Sequence, residues 1–201
     1  TSAYIHRKLE SLKKNVVGGY VLTCLGDSKR YSYLKSKSAN SLSDKMAIQE
    51  IKKKKKYKIY NWMQRGSDER QYNSPGVELN IGSLMRSKYE TFKEYHTSED
   101  ELGKFVNKRS LNQSFNMIKN VILNFENSII PNSKIICEPH LSKRNLYSHI
   151  NIKGLNRKEA QTILDFLSYA DGKLLLKEIA NKIGVNYKKA LKLTFFLKRK
   201  D

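Results

Sequence analysis

Several features that would assign this chain to a common class of protein are scarce or missing from its 201 residues. There are only two cysteines, Cys24 and Cys137, and both stand in apolar surroundings, which is typical of reduced thiols rather than of a disulfide framework. No apolar run approaches the roughly 20 residues that a membrane-spanning helix needs. The first 14 residues carry charges at helical spacing and lack the apolar stretch and small-residue cleavage site of a secretory signal. We therefore expect a cytoplasmic protein that does not contact a membrane.

Acidic residues are also few. The chain has 39 Lys and Arg residues against 19 Asp and Glu residues, which gives a formal net charge of +20. The excess is spread along the chain, with 28 basic and 14 acidic residues up to residue 153 and 11 and 5 after it. Two interpretations stand. The lysines are either solvated helix ends, as at Lys52 to Lys56, in a composition that an AT-rich genome favours, or part of a surface that contacts phosphate groups.

Strand and helix patterns alternate through the first two thirds of the chain. Apolar residues at helical spacing predict a helix from Tyr4 to Lys14, and a second helix opens at Ser43. Strands are predicted at 17–25, 57–62 and about 77–85, with polar loops at 65–75 and around 95–98. A last helix carries these apolar residues on one face: Leu111, Phe115, Ile118, Ile122 and Phe125. The alternation predicts an α/β fold with a largely parallel sheet, whose ligand site lies at the carboxyl ends of strands.

The pattern changes after about residue 138. Residues 138–153 show no sustained period and are interpreted as a connector, and three short helical patterns follow at 157–169, 173–183 and 187–200. Gly184 suits a helix C-terminal cap and Asn186 an N-cap. The last two patterns form a helix-turn-helix, which is equally typical of a DNA-reading unit and of a packing or protein-interaction module.

Two polar loops contain residues with possible chemistry. The segment Gly66 to Tyr72 combines two acids, an amide and a base, and the Ser74-Pro-Gly76 bend follows it. Taken alone, it is as often a charged surface turn as a functional loop. The segment Tyr95 to Asp100 has a histidine followed by carboxylates. One histidine with nearby acids makes no metal site by itself, because catalytic zinc needs about three protein ligands and an open position.

The order of these motifs carries a resemblance to a known family. The ordered set is Leu22-Thr-Cys-Leu-Gly-Asp27, Asp44-Lys45, Arg65-Gly-Ser-Asp-Glu-Arg-Gln-Tyr72, Ser74-Pro-Gly-Val77, Met85-Arg-Ser-Lys-Tyr89, Glu94-Tyr-His-Thr-Ser98, Cys137-Glu-Pro139 and Lys143-Arg-Asn-Leu-Tyr147. It resembles the carboxyl-terminal part of bacterial zinc aminopeptidase-like proteins of the di-zinc exopeptidase clan, which end in a winged helix-turn-helix and are often found among polysaccharide-biosynthesis genes. The resemblance covers nearly the whole chain.

The resemblance implies an architecture of two parts. Residues 1–137 would be the carboxyl-terminal portion of an α/β, zinc-exopeptidase-like three-layer sandwich. Residues 138–153 would be a connector, and residues 154–201 a small all-α domain of the winged helix-turn-helix type.

The resemblance also implies roles for individual residues. His96 and Asp27 would be zinc ligands, and Asp100 a carboxylate that supports the ligand shell. The side chains implied to line the substrate cleft are Asp68, Glu69, Arg70 and Gln71. The first histidine ligand, the bridging aspartate and the general-base glutamate of the clan lie upstream of the residues that match here, so no catalytic residue is assigned and the site is incomplete.

Two functions from different classes follow. The first is a fragment of a zinc-dependent aminopeptidase-like hydrolase that acts on a peptide or amide, inactive as given, with a missing amino-terminal half or a second copy as partner. The second is a nucleic-acid-binding helix-turn-helix protein with an α/β sensor domain. The last helix lacks an Asn, Gln or Arg early in its length where base edges are read, so any nucleic-acid binding is expected to be weak.

Overall fold

The structure is a computed structural model that describes residues 1–144 and 157–199. It divides into two compact units, residues 1–127 and residues 128–201. The structure does not describe all of the predicted segments. The connector at 138–153 and the motif Lys143 to Tyr147 lie partly outside the described residues, and Lys200, the end of the last predicted helix, lies wholly outside them. No helix of the described part is long and apolar enough to cross a membrane.

The first unit is a four-stranded sheet with helices. Its strands are β1 (Gly19–Leu22), β2 (Tyr31–Leu34), β3 (Tyr57–Tyr60) and β4 (Ile81–Met85), and its helices are α1 (Ser2–Asn15), α2 (Leu42–Ile51), α3 (Glu69–Tyr72) and α4 (Lys108–Glu126). A 3₁₀ turn, Trp62–Gln64, follows β3. The α/β class is thus confirmed.

The sheet has the order β1-β4-β2-β3. β1 pairs with β4 and β2 pairs with β3 in parallel, whereas β2 and β4 are antiparallel. The sequence analysis missed β2, because its Tyr31-Ser-Tyr-Leu34 segment is short and lies between charged residues. Since β1 and β4 run opposite to β2 and β3, the carboxyl ends of the strands lie at both ends of the sheet.

Helix α2 begins with a capping box. The Ser41 hydroxyl accepts from the Asp44 amide, and the Asp44 carboxylate accepts from the Ser41 amide. Asp44 is buried and also accepts from the Tyr33 hydroxyl at 2.9 Å and the Ser36 amide at 2.8 Å. The cap therefore ties the start of α2 to β2 and to the chain that follows it.

Helix α4 packs with an unexpected face inward. The buried side chains are Ser110, Ser114, Met117 and Val121. The apolar stripe that the sequence singled out lies largely on the outside, with Phe115 66% and Ile122 51% exposed. The Ser114 hydroxyl donates to the Leu25 carbonyl at 2.7 Å, so small polar residues allow α4 to lie close to the chain that leaves β1.

The second unit contains α5 (Arg157–Tyr169), α6 (Leu176–Lys182) and α7 (Tyr187–Lys198), with a 3₁₀ turn at Leu141–Arg144. Its core holds Phe166, Leu176, Ile179 and Ala190. The predicted N-cap is confirmed, since the Asn186 side chain accepts from the Lys189 amide at 2.8 Å. Gly184 has a φ of 68°, the left-handed conformation that ends a helix.

The segment after residue 127 belongs to this second unit. The Leu176 amide donates to the Ile129 carbonyl at 2.8 Å, and the Ser133 amide to the Ala170 carbonyl at 2.7 Å. These bonds pair residues 129–133 with the chain around α6. The units therefore divide ten residues before the position, 137, at which the sequence analysis ended the α/β portion.

Candidate functional site

One face of the sheet is covered by loops. Tyr33 and Leu84 pair directly, and Tyr33 contacts Asp44 of α2, so this pair lies on the helix side. Neighbouring residues of a strand point to opposite faces. Ser83 therefore points away from α2, toward the segments 62–72 and 87–96. We call this side the loop face.

Glu69 is the centre of the loop face. Its side chain is completely buried. Oε1 accepts from the amides of Gly66 and Ser67 and from the Tyr89 hydroxyl, each at 2.9 Å, and Oε2 accepts from the Ser83 hydroxyl at 2.8 Å. This carboxylate therefore clamps the 66–69 turn, strand β4 and the segment after β4 together. We call the arrangement the Glu69 clamp.

The clamp fixes the protonation of both of its titratable groups. Burial by itself raises the pKa of Glu69, but the hydrogen bonds from the Ser67 and Gly66 amides and from two hydroxyls outweigh it, so the pKa lies below its ordinary value. The pKa of Tyr89 is raised well above its ordinary value by burial and by its bond to the carboxylate. Glu69 stays ionised and Tyr89 neutral at physiological pH, so the pair positions loops and does not exchange protons.

A glycine allows the clamp to close. A Cβ atom on Gly66 would come within 2.7 Å of Cε2 of the Tyr89 ring. Any larger residue at 66 would push the ring away from the Glu69 carboxylate. The close approach explains why a glycine stands at the start of this turn.

The four residues that the resemblance placed in the cleft have different surroundings. Glu69 is buried beneath the surface, and Asp68 is exposed. Arg70 and Gln71 line an open groove of about 420 Å³, together with Lys37, Trp62, Arg65, Asn73, Ser74 and Pro75. None of the lining residues is acidic. The clamp thus positions Arg70 and Gln71, which form one wall of a basic groove.

Asp27 lies at the other end of the sheet, where β1 and β4 end. It is buried, and its Oδ2 accepts from the Ser87 amide at 2.8 Å. Its Oδ1 accepts from the Lys29 amide at 2.8 Å and the Ser87 hydroxyl at 3.0 Å. Both oxygens are therefore engaged in fixing the chain after β1 to the chain after β4.

His96 and Asp100 lie on an exposed loop. His96 has a φ of 57°, and its ring stacks on the Tyr95 ring with 3.9 Å between centroids. The loop is near Cys24 at the end of β1. Burial raises the pKa of the Cys24 thiol, and the carboxylates of Asp100 and Asp27 raise it further. The structure therefore gathers Asp27, Asp100 and the loop of His96 around the end of β1.

The fit of a metal ion to these residues can be tested directly. Within residues 1–144 and 157–199, no group of three or more His, Cys, Asp and Glu side chains is arranged to hold a metal. Asp27 already uses both oxygens, and His96 is stacked on Tyr95. The described residues therefore do not fit a zinc ion on their own.

Several residues of the loop face were missed by the sequence analysis. Tyr89 and Ser83 complete the clamp, and Lys37, Trp62 and Arg65 complete the groove. Tyr89 ends one of the ordered motifs, so its position carried a signal without a role. Arg65 begins another of these motifs and likewise had no role assigned, whereas Lys37 carried no signal, because basic residues are abundant throughout this chain.

Comparisons with known proteins extend this description. The family described as Domain of unknown function (DUF4910) matches residues 1–128, and the winged helix-turn-helix family matches residues 129–201. A Clostridium acetobutylicum protein provisionally named as a polysaccharide biosynthesis protein with an aminopeptidase-like domain is 35% identical over 182 residues, which cover 90% of this chain and 42% of that protein.

A solved structure is also similar. It is a crystal structure of a protein of Clostridium acetobutylicum provisionally described as a peptidase, with a TM-score of 0.62 and 32% identity. The match covers 98% of this chain and 44% of that one. The chain therefore spans less than half the length of both relatives.

Proposed function

Because the chain belongs to the family of the domain described as DUF4910, we propose that residues 1–127 are part of an aminopeptidase-like hydrolase domain that acts on a peptide or a related amide. The relatives' names support the aminopeptidase-like assignment. The single observation that carries the proposal is the Glu69 clamp, which holds the 66–72 segment rigidly against β4.

The clamp gives the loop face a binding role. Arg70 follows Glu69 directly and offers a planar guanidinium that suits a carboxylate or another oxyanion of a substrate. Asp68 precedes Glu69 and is exposed, so its carboxylate can pair with the ammonium group of a free amino terminus. In this proposal Glu69 is a positioning residue, and the chemistry of hydrolysis depends on groups that the described residues do not include.

Zinc dependence is part of the proposal. His96 is exposed and can offer one imidazole nitrogen to a metal that residues outside this chain also bind. Asp27 would have to give up hydrogen bonds to Ser87 or Lys29 to act as a ligand. We therefore propose His96 as a ligand in a polypeptide of the relatives' length and Asp100 as a support of its loop, and Asp27 becomes a ligand only where those hydrogen bonds break.

The experiment compares this chain with a polypeptide of the relatives' full length that includes it. Zinc content is measured by inductively coupled plasma mass spectrometry, and turnover with amino-acid p-nitroanilides. We expect no turnover from the chain alone and zinc-dependent turnover from the longer polypeptide, lost in His96→Ala and kept in His6→Ala, which changes an exposed histidine on α1. A longer polypeptide with neither zinc nor turnover would contradict the proposal. Turnover by the chain alone would contradict the prediction that its catalytic site is incomplete.

A second function is carried by the helix-turn-helix unit. Its family match is to winged helix-turn-helix domains, and α7 exposes Lys188, Lys189 and Lys192. We propose that this unit contacts nucleic acid only through phosphates. The first turn of α7 offers only lysines and Tyr187 for such contacts, because the Asn186 side chain is occupied as the helix cap. Such binding is weak and falls steeply with salt.

Fluorescence anisotropy decides this second function. The chain is titrated with random duplexes and with duplexes selected by binding, at 50 mM and 150 mM salt. We expect equal affinities for both kinds of duplex and loss of binding at the higher salt. A selected duplex that stays tightly bound at 150 mM salt would establish the unit as a sequence reader.

A further inference from the structure

Three cationic residues line the groove beside the Glu69 clamp. Lys37, Arg65 and Arg70 all line its volume of about 420 Å³, and no Asp or Glu is among the residues that line it. We propose that this groove binds the phosphate group of a small phosphorylated ligand. The inference goes beyond the proposed function, because it adds a phosphorylated ligand for this groove, and it is tested by binding alone.

The fold builds this convergence from separate segments. β2 and β3 run parallel, so their carboxyl ends lie side by side. Lys37 follows the end of β2, and Trp62 and Arg65 belong to the turn that follows β3. Arg70 is brought to the same place by α3, whose position the Glu69 clamp sets. Ligands of α/β folds bind beyond the carboxyl ends of strands.

The three cations are poorly neutralised within the protein. Lys37 Nζ lies 3.8 Å from Glu78 Oε1, but both side chains are about half exposed or more, and such pairs contribute little. Arg65 stacks on the Trp62 ring at 4.8 Å and donates weakly to the Trp62 carbonyl at 3.5 Å. Among the described residues, no carboxylate forms an ion pair with Arg65 or Arg70. The groove therefore has a surplus of positive charge.

The surplus and its geometry favour phosphate. Two guanidinium groups and one ammonium group match a dianion better than a single carboxylate, and guanidinium forks bind phosphate oxygens in pairs. Trp62 and Pro75 add apolar surface for the remainder of a ligand. The volume of the groove is within the range of small-molecule sites. The volume and the charge of the groove therefore suit a small phosphate monoester.

The chain has a built-in probe for the test. Trp62 is the only tryptophan, so its fluorescence reports on the groove. The full chain is titrated at constant ionic strength with inorganic phosphate, glucose 6-phosphate, glucose and succinate, and calorimetry provides affinities that do not depend on fluorescence. We expect binding of the phosphate ester and of free phosphate, with the ester tighter, and no binding of glucose.

Variants connect the binding to the groove. We expect Arg70→Gln and Lys37→Gln each to weaken glucose 6-phosphate binding by about tenfold or more, the usual effect of removing one charge-assisted hydrogen bond. Arg109→Gln removes the same charge from the exposed side of α4 and should leave the affinity unchanged. Circular dichroism verifies that each variant is folded.

Defined outcomes overturn the inference. They are equal binding of glucose and glucose 6-phosphate, succinate binding as tight as that of the phosphates, and folded Arg70→Gln and Lys37→Gln variants that bind like the parent chain. None involves turnover. Loss of hydrolysis in the longer polypeptide would overturn the hydrolase proposal and leave the phosphate-binding groove, whereas loss of phosphate binding would overturn this inference and leave the hydrolase proposal.

Discussion

Each of the two units of this chain is stabilised internally by a different kind of interaction. Residues 1–127 bury charged side chains, namely Asp27, Asp44, Glu50, Glu69, Arg86 and Lys88. In the described part of residues 128–201, the buried side chains are apolar, with Phe166, Leu176 and Ile179 at the centre. Apolar packing tolerates many arrangements of similar volume, whereas hydrogen-bonded carboxylates fix a particular one.

Three of the four buried carboxylates of the first unit share one role, and the fourth, Glu50, accepts from the side chains of Lys53, Lys54 and Asn120. Asp27 accepts from the amides of Lys29 and Ser87, Asp44 from those of Ser36 and Ser41, and Glu69 from those of Gly66 and Ser67. Each of these three carboxylates thus anchors the backbone of a loop next to a strand or a helix start. The comparison teaches that the unit with the candidate site uses buried charge to hold loops in place.

The strongest test of this difference is Glu69→Ala. It leaves two amides and two hydroxyls without an acceptor in a buried place, so we expect the free energy of unfolding of the first unit to fall by about 4 kcal/mol. Urea unfolding followed by Trp62 fluorescence measures this unit, because the only tryptophan lies in it. Asp68→Ala, the exposed neighbour, should change it by less than about 0.5 kcal/mol. A loss of similar size in both variants would contradict the clamp.

The matching change in the second unit is Ile179→Ala. The side chain is fully buried in an apolar core, so its truncation should cost about 3 kcal/mol. Hydrogen exchange of the α6 amides is expected to speed up, while the Trp62 unfolding curve stays unchanged. A shift of the Trp62 curve would mean that the two units do not unfold separately.

Acid should affect the first unit more than the second. Since the pKa of Glu69 is lowered in the fold, its stabilising effect is complete above the pKa of an unfolded glutamate, about 4.3, and is lost as the pH falls through the lower folded value. The urea midpoint from Trp62 fluorescence should therefore drop between pH 6 and pH 3. Glu69→Gln keeps an acceptor oxygen without a titratable charge, so the drop should be smaller in that variant. An equally steep drop would assign the acid sensitivity to other carboxylates.

The smallest expected effect concerns a helix cap. Asn186→Ala removes the side-chain acceptor for the Lys189 amide and should lower the stability of the second unit by about 1 kcal/mol. Asn181→Ala, an exposed position near the end of α6, serves as the control. Thermal unfolding at 222 nm distinguishes the two, and equal melting temperatures would show that the cap contributes little.

The sequence predicted the second unit better than the first. The physical reason is that the second unit depends on local signals, whereas the first depends on contacts between distant segments. The helices at 157–169 and 187–198 follow from apolar spacing and from one cap, Asn186, which are local signals. In the first unit the α/β class was predictable, but β2 was not, because its four residues gain their burial from β3 and β4. Pairing partners distant in the sequence leave no local pattern.

The site was predictable only in part. The ordered motif around Glu69 and Arg70 singled out the turn that carries the clamp, and the structure buries Glu69 under the loop face. The substrate-binding roles of the residues in this turn stay predictions. A buried carboxylate that accepts from backbone amides and an exposed carboxylate that binds a substrate have the same sequence signature. The metal roles of His96 and Asp27 stay predictions, since the described residues alone do not assemble a ligand set.

The outward apolar stripe of α4 has a consequence for the colloidal behaviour of the chain. Phe115 and Ile122 expose apolar surface that favours association between copies of the chain, while the net charge of +20 makes those copies repel each other. Electrostatic repulsion reaches about 10 Å at 0.1 M salt and about 3 Å at 1 M salt. Light scattering should therefore detect single chains in dilute buffer and growing clusters as salt is added, and Phe115→Ser should delay that onset.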